Sequence, residues 1–135
     1  MTLPMKHETW WHFDERANEP SIRAELAGAI HRLNRDPKIL DNAMLSDVRL
    51  VRQPDNPHDP NAVAVLRVDD GTQRHVGYLP RKLAFEFARA GLNPAEPALV
   101  APRFGITMGE NIPHLVLTGP AVAALQAVLA PDRAA

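Results

Sequence analysis

Cysteine is absent from this 135-residue chain, which excludes disulfide scaffolds, zinc ribbons and thiol nucleophiles. No apolar run approaches the roughly 18 residues that a membrane-spanning helix requires. No G-x-x-x-x-G-K-[ST] loop is present and no ATPase core fits the length, so a molecular motor is excluded. The opening residues, MTLPMKHETWW, hold neither a basic nor an apolar stretch of the kind that opens a signal peptide, so none is expected and the expected location is cytoplasmic. An excess of either charge is also missing. Fifteen Lys+Arg face sixteen Asp+Glu for a net of −1, which argues against coating nucleic acid by bulk electrostatics but not against a small local site. Aromatics are scarce, with two Trp, one Tyr and four Phe. The core must therefore be mostly Val, Leu, Ile and Ala, and any exposed ring is informative.

What is present looks globular. Hydrophobic residues make up 45% and charged residues 23%, ordinary values for one folded domain at this length. Thirteen prolines fall between apolar segments rather than in one tract, so they punctuate many short elements. The expected organisation is a flexible start over 1–8, a single domain over 9–130 and a flexible end over 131–135.

Residues 9–13 fit a short strand, with Trp10 and His12 on one face and Trp11 and Phe13 on the other. Across residues 21–35, Ile22, Leu26, Ile30 and Leu33 are spaced as the apolar stripe of an amphipathic helix. Asn18 or Ser21 would cap it and Pro37 would end it. Residues 47–53 and 62–68 alternate as strands, separated by the turn-rich PDNPHDPN. Asp70-Gly71 signals a hairpin into a strand at 74–79. Pro80 opens a helix with Leu83, Ala84, Phe87 and Ala88 inward, and Gly91 stops it. Strands at 98–104 and 114–118 and a helix at 120–129 complete an α+β fold around a small, strongly curved sheet.

Searches for catalytic patterns return little. The six histidines form no H-E-x-x-H or H-x-x-E-H, the adjacent acids Asp14-Glu15 and Asp69-Asp70 make no paired-carboxylate site, and no G-x-S-x-G elbow occurs. No catalytic residue, metal ligand or cofactor is expected. The informative stretch is 48–81, VRLVRQPDNPHDPNAVAVLRVDDGTQRHVGYLPR. Leu50, Arg52, Pro54, Asn56, Pro57, His58, Asp59, Asn61, Ala62, Val63 and Val65 form one block, and Val76, Gly77, Tyr78, Leu79, Pro80 and Arg81 a second.

In order and spacing these blocks resemble the HIRAN domain, with 48–90 as the core motif. That family occurs in SWI/SNF-type fork-remodelling helicases and as free-standing bacterial proteins, which this chain resembles more. Gln53 stands where an acid is common, and His58 where the helicase members carry a tyrosine. The resemblance implies an OB-like curved β-barrel of about five to six strands with two to three flanking helices. It also implies a non-catalytic module that binds single-stranded DNA at a free 3′-hydroxyl end in DNA repair, with a helicase or nuclease as its protein partner.

On that reading His58 and Tyr78 offer rings for base stacking, worth roughly 1–3 kcal/mol per base. Asp59 accepts a hydrogen bond from the 3′-hydroxyl and repels a 3′-phosphate. Asn56 bonds a base edge or orders the turn, and Arg52, Arg81 and Lys82 contact phosphates. Residues 49–103 carry eight Arg/Lys against six Asp/Glu, whereas 1–48 carry six against eight, so the basic bias falls on the motif. Asn56, Asp59 and Asn61 are equally the residues with which a tight turn bonds its own backbone. Trp10, Trp11 and Phe104 are either a further wall or core. The rival functions are a protein-interaction module without DNA binding and a small metal-dependent hydrolase or nuclease.

Overall fold

A meander of three antiparallel strands carries the motif. β3 (Asp47–Arg52), β4 (Val63–Asp69) and β5 (Thr72–Tyr78) pair in the order β3-β4-β5. Asp70 and Gly71 both take positive φ, 48° and 84°, which gives the two-residue turn whose twist suits a hairpin. The β4–β5 register shifts between Val65 and Leu66, leaving Val76 as an extra residue in β5. In this computed structural model the described residues are 11–14, 17–105 and 113–129. The expected flexible termini, Trp10 and most of the loop after Phe104 lie outside them.

The second sheet is built from β1 (Trp11–Phe13), β2 (Ser21–Ala24), β6 (Ala101–Gly105) and β7 (His114–Thr118), in the order β1-β2-β7-β6. Three helices flank the sheets: α1 (Ala29–Arg35), α2 (Arg81–Arg89) and α3 (Pro120–Leu129). The fold is α+β, with seven strands and three α-helices among the described residues.

The helix expected over 21–35 is half strand. Ile22, Ala24 and Leu26 alternate with Arg23 and Glu25, so this window satisfies period 2 as well as period 3.6. Tertiary pairing decides between them: β7 needs a partner, and Ile22 and Ala24 lie opposite Leu117 and Leu115. The helix begins only after Gly28, which takes φ 76° at its N-cap without a side-chain cap bond. Neither Asn18 nor Ser21 caps it. Its end matches expectation, since Asp36, before Pro37, is extended. The displaced start turns Ile30 outward, leaving it 66% exposed.

The α+β class holds, but no closed barrel is found among the described residues, so the OB-like barrel is not confirmed. The two sheets meet instead at two seams. At one, Ala27 and Tyr78 exchange backbone bonds, each 2.9 Å. At the other, β6 packs beside β3 without a ladder between them. Gly77 makes the first seam possible, because a Cβ there would stand 3.0 Å from the Ala27 carbonyl oxygen.

The shared core lies between the sheets and under the helices. Ile22, Val65, Val76, Leu83, Phe87, Leu115, Leu117, Val122 and Leu125 are fully enclosed. Phe104 is buried with them, and Trp11 packs against them with its ring edge-on to Phe13 at 5.5 Å. Both are thus core or core-flanking. Arg67 is buried on β4 and ties the 39–46 segment down: it donates to Ile39 O and Ser46 Oγ, each at 2.8 Å, and pairs with Asp69 at 2.8 Å.

Candidate functional site

The Pro-rich turn at 54–61 is organised by its own side chains. Asn56 Oδ1 accepts the backbone N–H of His58 at 2.9 Å and of Asp59 at 3.2 Å. Its amide nitrogen donates to Gln53 Oε1 at 3.0 Å. The same oxygen accepts the Tyr78 hydroxyl at 3.1 Å. Gln53, where an acid was the commoner residue, thereby joins the turn to β5. Asn56 is occupied with turn geometry and not with a free base edge. The Tyr78 ring packs edge-on to His75 at 4.7 Å.

Asp59 occupies a different position. One carboxylate oxygen accepts the Asn61 N–H at 2.9 Å, while the other faces Arg81 Nε at 3.7 Å. The Asp59 side chain is only 16% exposed, but Arg81 is 80% exposed. At 3.7 Å the pair is electrostatic rather than hydrogen-bonded, so Oδ2 keeps lone pairs for another donor.

Asp59 and Arg81 line a groove of about 860 Å³. One wall is the segment from Glu25 to His31, which leaves β2 and enters α1. The other is Asp59, Pro60 and Asn61 with the start of α2, where Arg81, Lys82 and Phe85 face the groove. Helix α2 positions them simply: Leu83, Ala84 and Phe87 are buried, so Arg81, Lys82 and Phe85 fall on its open side. Pro80 precedes the first turn as N-cap and offers no side-chain cap, so the positive end of the helix dipole is available to an anion. Phe85 is 49% exposed, although its type belongs in a core.

Of the seven residues singled out in the sequence, three converge on this groove: Asp59, Arg81 and Lys82. His58 is exposed on the turn, outside the groove lining. Asn56 and Tyr78 brace the turn from behind. Arg52 is exposed at the end of β3 and lines a smaller groove of about 250 Å³. Sequence reading missed Ile30 and Phe85. Ile30 was assigned to the core by the misplaced helix start. Phe85 had a visible signal, since it lies off the 83/84/87 stripe of its own helix.

The electrostatics of the neighbourhood are sided. Glu25 and His31 lie on one wall, and Asp59, Arg81 and Lys82 on the other, so the cations facing the groove stand at the start of α2 beside the Asp59 carboxylate. Burial, and secondarily the positive Arg32, hold His75 below its ordinary value; its ring bond of 2.7 Å to Gly77 O opposes them. Among the described residues, no three His, Asp or Glu side chains are placed to hold a metal ion. No helix there is long and apolar enough to cross a membrane.

No curated protein and no solved structure was found to match the chain. Residues 27–90 match the family model of the HIRAN domain. That span runs from the Ala27 seam through the Pro-rich turn and the meander to the end of α2, and so contains every residue lining the groove except Glu25 and Leu26. This segment is a HIRAN domain, and domains of that family are generally DNA-binding modules.

Proposed function

We propose that the chain is a non-catalytic module that seats the free 3′-hydroxyl end of single-stranded DNA in the main groove. The observation that carries this reading is Asp59: its Oδ2 sits at the groove with only a 3.7 Å contact to Arg81. A carboxylate in that state accepts from a hydroxyl and opposes a second anion. Two unit charges about 4 Å apart at an effective dielectric near 20 repel by roughly 4 kcal/mol, an upper figure here because Arg81 offsets part of it. Arg81 and Lys82 suit the phosphates behind the end, and Phe85 and Ile30 supply apolar contact for a base. A helicase or nuclease working on such ends would be its protein partner.

Fluorescence anisotropy with short oligonucleotides ending in 3′-hydroxyl or 3′-phosphate tests the reading. Tighter binding of the hydroxyl end is expected. Equal binding of the two ends would refute end recognition. The exposed pair Phe85 and Ile30, one on each wall, also suits an apolar peptide; binding of neither oligonucleotide would favour that protein-interaction reading.

A further inference from the structure

Two lesser grooves continue from the main one. The groove of about 250 Å³ shares Asn61 with it, and a third, of about 370 Å³, shares Arg52 and Pro94 with the second. Together they make a furrow that leaves Asp59, crosses Asn61, passes Arg52 and runs along the unpaired edge of β3 to Arg49. No carboxylate lines the second or third groove. Glu96, between the lining residues Ala95 and Pro97, turns its Oε1 onto the Ala98 N–H at 3.3 Å. Arg49 and Arg52 are both exposed, and neither is held in an ion pair among the described residues. The edge of β3 has β6 packed beside it without a ladder, and the third groove lies between β3 and the 94–102 segment. Here two unpaired cations stand beside a trough.

We infer that this furrow is a phosphate track: a DNA strand with its 3′ end in the main groove continues in the 5′ direction past Arg52 to Arg49. The inference rests on the end-binding reading for its starting point, but its own residues lie outside the main groove. Arg49 and Arg52, an odd number of residues apart, project to opposite faces of β3 and flank its edge from either side. Their positions are about 10 Å apart along the strand, more than the 3.4 Å rise of one stacked nucleotide, so the two guanidiniums serve different phosphates. The track also gives Asn61 a role as the sill between grooves, beside the carboxylate that reads the end.

The test is a length series from a dinucleotide to a hexanucleotide, each with a 3′-hydroxyl, on the full chain and on R49A/R52A. Affinity should rise as the oligonucleotide is extended on its 5′ side. The double variant should bind the hexanucleotide roughly tenfold more weakly, bind the dinucleotide as before, and lose about 1.4 from the slope of log affinity against log salt. A hexanucleotide bound no tighter than a dinucleotide, or bound equally by the variant, overturns the track. A 3′-phosphate hexanucleotide separates this from the end reading. If it binds as well as the hydroxyl form yet still depends on length and on both arginines, the track stands and end recognition falls.

Discussion

Arg81 Nε lies 3.7 Å from Asp59 Oδ2, joining the Pro-rich turn to the first turn of α2. The two residues come from separate motif blocks and meet at the groove with very different exposures. Asp59 is fixed from behind by Asn61 N–H, whereas Arg81 is free to swing. The fixed partner suits discrimination and the mobile one suits attraction.

Asp59→Asn preserves an acceptor for Asn61 N–H and removes the charge. It should keep binding 3′-hydroxyl oligonucleotides within a few fold while gaining affinity for 3′-phosphate ends. Asp59→Ala removes the acceptor as well, and should weaken hydroxyl-end binding by about 1.5–3 kcal/mol, the range for a bond to a charged group. Anisotropy on both oligonucleotides reads both variants. An unchanged preference in Asp59→Asn would mean that the carboxylate does not read the end.

Phe85 and Phe87 are two residues apart and should behave oppositely. Phe87→Ala, in the closed core, should cost about 3–5 kcal/mol of stability. Phe85→Ala should leave the melting temperature nearly unchanged but lower oligonucleotide affinity by roughly 1–3 kcal/mol, as for a base-stacking ring. Thermal melts paired with anisotropy separate the two. Affinity unaltered in Phe85→Ala would place the base elsewhere.

Asn56 and Tyr78 are predicted to matter through the turn. Asn56→Ala strips an acceptor from two backbone amides and should destabilise the protein by about 1–3 kcal/mol. Tyr78→Phe removes only the bond to Gln53 and should cost about 1 kcal/mol, with DNA affinity preserved. Denaturant unfolding gives the first quantity and anisotropy the second. Loss of binding in a stably folded Tyr78→Phe would return the hydroxyl to the site.

Acid should weaken the fold in two separate windows. His75 titrates below its ordinary 6.5, chiefly through burial, with Arg32 adding to it and Gly77 O opposing. The unfolded chain therefore takes up that proton first, so the His75 contribution is complete above pH 6.5 and is lost as pH falls below it. Asp69 titrates below its ordinary 3.8, mainly through the Ser46 hydroxyl, with Arg67 and Arg74 assisting against the opposing effect of desolvation. Its contribution is complete above pH 3.8 and is lost below it. Melting temperature followed from pH 8 to 3 should show both declines, and His75→Gln should remove the upper one. An identical upper decline in that variant would assign it to another group.

Most of the meander was legible because its signals agree. Val63 and Val65 alternate, Asp70-Gly71 is a turn that tolerates positive φ, and Gly91, with φ 73° just beyond α2, stops that helix as read. Residues 21–35 were not legible, because Ile22 and Leu26 satisfy two periodicities and only the β7 edge selects one. That single ambiguity hid Ile30 in an imagined core. Closure of the sheets was equally unreadable, since it depends on whether β3 and β6 pair, and no local preference specifies that. At the site, residue type pointed to Asp59, Arg81 and Lys82. It did not show that Asn56 and Tyr78 would be consumed by Gln53, because one amide oxygen serving two donors is a tertiary arrangement.

The reciprocal bonds between Ala27 and Tyr78 join the sheets where the groove's walls converge, and no ladder reinforces them there. The wall carrying Ile30 is thus tied to the Tyr78 strand by one hydrogen-bonded residue pair, with the buried Leu26 and Ala29 packed behind it. A nucleotide seated between the groove's walls would act as a splint across that joint. Amide exchange at Ala27 and Tyr78 would then slow on binding, while exchange within α3 would keep its own pace.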